Sequence, residues 1–114
     1  MSYTVAEHAG VAGTHVVEVE GVLDVKAAPD LKAALEAAIE RGTKILIVDL
    51  DQVKFIDSSA IGVLLAARER LLRAGGALEV ACAERNVVRV LQIVGIETAG
   101  PAVAAPGRLA PPAG

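Results

Sequence analysis

The chain has 114 residues, 54% hydrophobic and 22% charged, with a formal net charge of −3; that suits one folded domain with a sizeable core. An acidic balance without a basic cluster gives no hold on a phosphate backbone, and Tyr3 and Phe55, the only aromatics, offer no platform for stacked bases, so nucleic acid is excluded as a partner. No apolar run approaches the ~20 residues of a membrane span and the N-terminus lacks a signal peptide's apolar core, so no membrane association and a cytoplasmic location are expected.

Residues 3–8 alternate weakly and predict an edge strand. Ala9-Gly10-Val11-Ala12-Gly13 reads as a turn. The next run, 14–20, alternates with period two, Val17 and Val19 on one side and Val16, Glu18 and Glu20 on the other. Two such runs around a short glycine-containing loop predict a hairpin. His8 and His15 are expected to face each other across it as surface residues, too few for a metal site.

Gly21-Val22-Leu23-Asp24 is expected to leave the hairpin as a loop, with Asp24 supplying turn or cap chemistry. A helix follows, with Pro29 in its first turn and Gly42 at its end. Leu31, Ala34, Leu35, Ala38 and Ile39 repeat at helical spacing and give its buried face. Asp30 in the first turn and Arg41 in the last suit the helix dipole. The apolar run 44–50 predicts a central strand buried on both faces, with Asp49 and Asp51 at its carboxyl end and 52–56 as a linker.

Asp57-Ser58-Ser59 then stands where the longest helix begins. Asp and Ser oxygens accept the orphan N–H groups of a first turn, so the cluster reads as a helix cap. A hydroxyl at a positive helix end is also a good place to carry a phosphate. The helix is expected over 58–74, with Ala60, Ile61, Leu64, Leu65, Ala67, Leu71 and Leu72 apolar and Arg68 at their edge. Gly62 weakens it; close packing on the sheet or close approach by a partner would justify the glycine. Residues 77–83 predict a strand containing Cys82 as a buried structural thiol. Asn86 is expected to cap a last helix with Val87, Val90, Leu91 and Val94 on its face and Gly95 as its stop.

The alternation predicts an α/β domain, a mixed sheet of four to five strands (hairpin, then βα units) with three to four helices. Residues 1–103 are expected to form it, with an edge strand around 99–103, and the Ala/Pro/Gly-rich 104–114 a disordered tail. There is no phosphate loop, cysteine pair, metal spacing or Gly-x-Ser-x-Gly elbow, so no enzyme and no cofactor are expected. A serine among acids and small residues reads as a substrate rather than a catalyst.

Two anchors carry a resemblance: Gly21-Val22-Leu23-Asp24 with Ala28-Pro29-x-Leu31, and Phe55-Ile56-Asp57-Ser58-Ser59-x-Ile61-Gly62. In this order they resemble the STAS domain, and more narrowly the bacterial anti-sigma-factor antagonists, over roughly 3–96. The resemblance implies phosphorylation of Ser58 by a partner that is both anti-sigma factor and serine kinase, release of that partner on phosphorylation, and resetting by a phosphatase. It implies partner contact through Asp24, Asp57, Ser58, Ser59, Ile61 and Gly62, in a monomer or weak dimer. The alternative it leaves is a STAS subunit of a transport or signalling complex, without phospho-switching. Ala60 departs from the family's usual glycine and adds a methyl near the site, and the family's terminal helix is not recognisable.

Overall fold

A computed structural model describes residues 3–10, 13–98 and 100. The period-two runs pair as expected: β1 (Tyr3–Ala9) lies antiparallel to β2 (Thr14–Leu23). Crossover helices then enforce parallel pairing. Helix α1 (Ala28–Glu40) leads to β3 (Ile45–Ile56), and α2 (Ser58–Arg73) to β4 (Ala77–Ala81). The sheet order is β1-β2-β3-β4, with α3 (Arg85–Ile93) closing the described fold. This is a single domain, a mixed four-stranded sheet with three helices among the described residues.

The helices share one face of the sheet. Val17 and Val19 of β2, Leu46, Val48 and Leu50 of β3, and Val80 of β4 are all buried there. Against them pack Leu31, Leu35 and Ala38 of α1, Leu64 and Leu71 of α2, and Val87 and Leu91 of α3. Each fully buried leucine contributes about 1.5–3 kcal/mol. Val16, Ile47 and Ala81 form a separate buried cluster.

Several expectations change. β3 runs 12 residues, so 52–56 is strand rather than linker. Two register shifts against β2, between Glu18 and Glu20 and between Gly21 and Val22, each accommodate an extra β3 residue and break the alternation. Asp49 and Asp51 therefore sit mid-strand. At the first shift the Asp49 carboxylate accepts the Asp51 N–H at 3.0 Å. Gly21-Val22-Leu23 belongs to β2, and Gly21 takes φ +96° at the second shift, a conformation a side chain would oppose.

His8 pairs with Val16 and His15 with Ala9, so the histidines point to opposite faces instead of meeting. His8 Nε2 lies 3.2 Å from Glu18. His15 is part-buried, within 3.1 Å of Glu7, which Arg41 also reaches at 3.0 Å. Arg41 thus follows α1 and ties it to β1. Ile39 is only part-buried, while Leu72 is 60% exposed and outside the apolar face. Arg68 donates to the Gly95 carbonyl at 2.9 Å, satisfying an acceptor at the end of α3. Glu84, not Asn86, caps α3, its carboxylate accepting the Asn86 N–H. β4 stops at Ala81, beyond which the Cys82 N–H donates to Gly100. Thr98 makes one parallel bridge to Val80. The edge strand around 99–103, save Gly100, and the disordered tail lie outside the described residues.

Candidate functional site

β2 and β3 end level, with Leu23 opposite Ile56. Two loops leave from that pair. In the first, Asp24 Oδ1 accepts the N–H groups of Lys26 (3.0 Å) and Ala27 (3.3 Å), and its carbonyl accepts those of Ala27 and Ala28. This is the turn chemistry read from the sequence. In the second, the Asp57 N–H donates to the Leu23 carbonyl at 3.0 Å, joining the two loops at their roots. Asp57 then leaves in an extended conformation, and its Oδ1 accepts from Ser59 N (2.9 Å) and Ala60 N (3.2 Å). It is the N-cap of α2.

The next five residues point in different directions because a helix turns 100° per residue. Ser58, the first helical residue, is exposed, and its hydroxyl takes no hydrogen bond among the described residues. Ser59 is part-buried and lines a groove between α1 and α2. Ala60 is fully buried, so its methyl enters the core instead of crowding the site. Ile61, expected as a partner contact, is 9% exposed and belongs to the core. Gly62 is exposed, and a Cβ built on it would meet nothing within 4 Å. Close packing on the sheet therefore does not account for this glycine.

The groove has a volume of about 310 Å³, with Ile39, Val63 and Ala66 in its wall and Lys32, Glu36 and Arg70 among its charged residues. Two apolar side chains at the same end of the sheet were not picked out from the sequence as contacts. Val25, beside Asp24, is 65% exposed and Phe55, two residues before Asp57, is 52% exposed. An apolar residue next to a polar cluster was the available signal. The alternation gave no warning for Phe55, because the register shift beside it reverses the strand's parity.

Neither histidine is placed to act as a base on Ser58. His15 pairs with Ala9 and Leu46 at the start of β2, and His8 with Val16, whereas Ser58 follows the far end of β3. The eight-residue rise from His15 to Leu23 separates them by roughly 25 Å. Cys82 is buried, as expected, and burial pushes its thiol above the ordinary value. The thiolate needed for reactivity is thereby disfavoured. What the site offers is an exposed hydroxyl at a helix N-terminus, next in sequence to the capping Asp57, with Asp24 on the loop whose root Asp57 joins.

Comparison with known proteins gives a consistent picture. A family model described as the STAS domain matches residues 3–101. The anti-sigma-B factor antagonist of Bacillus subtilis (strain 168) is 28% identical over 81 residues, 71% of this chain and 73% of that protein. An anti-sigma factor antagonist of Mycobacterium paratuberculosis superposes with a TM-score of 0.74 at 29% identity, over 82% of this chain and 79% of that one. SpoIIAA, a Bacillus cell fate determinant and anti-sigma factor antagonist, shares the fold in both its forms. The unphosphorylated form gives a TM-score of 0.73 at 24% identity, covering 82% of each chain. The phosphorylated form gives 0.69 at 23%, covering 82% of this chain and 85% of that one.

Proposed function

The chain belongs to the STAS domain family, and on that premise we propose that it is an anti-sigma-factor antagonist switched by phosphorylation of Ser58. Unphosphorylated, it binds an anti-sigma factor that is also a serine kinase and so frees a sigma factor. Phosphorylated, it releases that partner, and a phosphatase resets it. It works in the cytoplasm without a cofactor of its own and catalyses nothing itself. Nucleotide, Mg²⁺ and the base that takes the serine proton come from the kinase.

The observation that carries this reading is the different placement of the two serines. Ser58 is exposed at the first position of α2 with its hydroxyl unengaged, whereas Ser59 is part-buried against the α1–α2 groove. A kinase must enclose the hydroxyl it phosphorylates, and Ser58 is the one within reach. A phosphate there adds about −1.5 to −2 of charge where the helix dipole favours it, so the fold survives. The Asp57 carboxylate already takes the cap N–H groups of Ser59 and Ala60. The phosphate therefore stands outside the cap beside Asp57, with Asp24 on the neighbouring loop. Acids on a partner fitted to the unmodified surface are repelled by the combined charge.

Val25 and Phe55 supply the apolar contact such an interface needs, Gly62 lets the partner approach α2 closely, and Ile61 supports the surface from beneath. The test is retention of the partner kinase from cell extract on immobilised variants, with intact-mass measurement of the protein isolated from cells. Ser58→Ala is expected to hold the kinase constitutively and Ser58→Asp to lose it. Equal retention by both, or protein isolated without phosphate alongside a permanently bound partner, would instead indicate the subunit role.

A further inference from the structure

We propose that Tyr3 is a positioning residue for the Asp24 loop, its hydroxyl clamping residues 24–27 and the first turn of α1 to the edge strand β1. This deepens the antagonist reading, since it concerns how one of that interface's two loops is presented.

The loop's own hydrogen bonds set its shape but not its orientation. Asp24 accepts from Lys26, Ala27 and Ala28, all within the turn. Its C-terminal end is fixed by burial of Ala27 and Ala28. Between them Val25 and Lys26 are exposed and have no core to hold them. Among the described residues, two hydrogen-bonding ties reach this segment from outside. One is the bond between Asp57 and Leu23 at its root. The other is the Tyr3 hydroxyl, whose single proton is shared between Asp30 Oδ2 in the first turn of α1 and the Lys26 carbonyl, 3.3 Å away, the one acceptor of the pair that belongs to the loop.

Tyr3 is built for this task. Its register partner is Gly21, so no β2 side chain stands opposite it. Its part-buried ring packs against the core cluster, and a ring with two rotatable bonds loses little entropy when fixed. The hydroxyl thus starts from a fixed point. Its bond to a carboxylate is charge-assisted, among the stronger hydrogen bonds available. That bond also raises the Tyr3 phenol above its ordinary value.

The test uses Tyr3→Phe, which keeps the ring and removes only the hydroxyl. Hydrogen exchange is read at the Lys26, Ala27 and Ala28 amides. Affinity is read by titration with the partner kinase purified from extract on Ser58→Ala protein, with Asp24→Asn as reference because an amide oxygen preserves the turn. Exchange at these amides is expected to rise about tenfold, β3 amides to stay unchanged, and the kinase to bind several-fold more weakly in both variants. Unchanged loop exchange in Tyr3→Phe overturns the proposal. So does faster exchange with unaltered affinity while Asp24→Asn binds weakly. Full affinity in Asp24→Asn and Ser58→Asp alike would defeat the antagonist reading instead, leaving exchange to judge the clamp.

Discussion

The N–H of Asp57 donates to the carbonyl of Leu23 at 3.0 Å, and this bond ties together the two loops on which the proposed interface stands. It forms because β2 and β3 are parallel and end in register. Asp24 leaves one strand and Ser58 follows the other, so residues 34 apart in sequence share one end of the sheet. Ligand and partner sites collect at such carboxyl ends in α/β folds.

The cap gives a stability prediction. Asp57→Ala removes the acceptor for two orphan N–H groups and is expected to cost about 1 kcal/mol in urea unfolding. Asp57→Asn keeps an oxygen there and is expected to lose clearly less. Equal losses would mean that the carboxylate stabilises α2 by charge alone.

Gly62 is expected to separate folding from binding. Gly62→Ala meets no neighbour and replaces the poorest non-proline helix former with the best, so stability rises by about 0.8–1 kcal/mol. Gly62→Leu is expected to fold as well but to block the partner kinase. Undiminished binding by Gly62→Leu would remove α2's exposed face from the interface.

Ala60 provides the counterpart. Its methyl lies in the core, so Ala60→Gly loses both helix propensity and a buried group. The expected cost is about 1–2 kcal/mol, with kinase affinity unchanged at temperatures where the variant is folded. A change in affinity without loss of stability would return this methyl to the docking surface.

Two groups with raised values contribute a pH dependence at the alkaline end. Burial raises the Cys82 thiol, and the Asp30 hydrogen bond raises the Tyr3 phenol. The folded state therefore favours the protonated form of each. Their contribution to stability is fully present below the unfolded values, 9.0 and 10.0, and is lost as pH climbs through the raised folded values. Urea midpoints are expected to fall as pH rises past these unfolded values, less steeply in Cys82→Ala. Identical slopes in the two proteins would count against the thiol.

Much of this was legible in the residues. Val17 and Val19, the Leu31–Leu35–Ala38 face and the Asp57 cap follow from period and capping chemistry, each a local rule that the tertiary structure leaves intact. What was not legible depends on register. The extra residues in β3 hid the strand's second half, and a one-residue offset in the hairpin sent His8 and His15 to opposite faces. Adjacent helical positions also part company: Ile61 turns into the core and Gly62 away from it, a distinction set by where α2 meets the sheet. Tyr3 gave no signal, because its partners Lys26 and Asp30 lie more than twenty residues away.

The central claim is that a phosphate on Ser58 dismisses the partner without disturbing the fold. The direct measurement is titration of the purified partner kinase with unphosphorylated protein and with protein phosphorylated by that kinase, the modified residue located by fragment mass spectrometry and the folding midpoint recorded for both. The account predicts phosphate on Ser58 alone, an affinity loss of about a hundredfold or more, and a midpoint changed by no more than about 2 °C. Phosphate on Ser59, or equal affinity in the two forms, would contradict it.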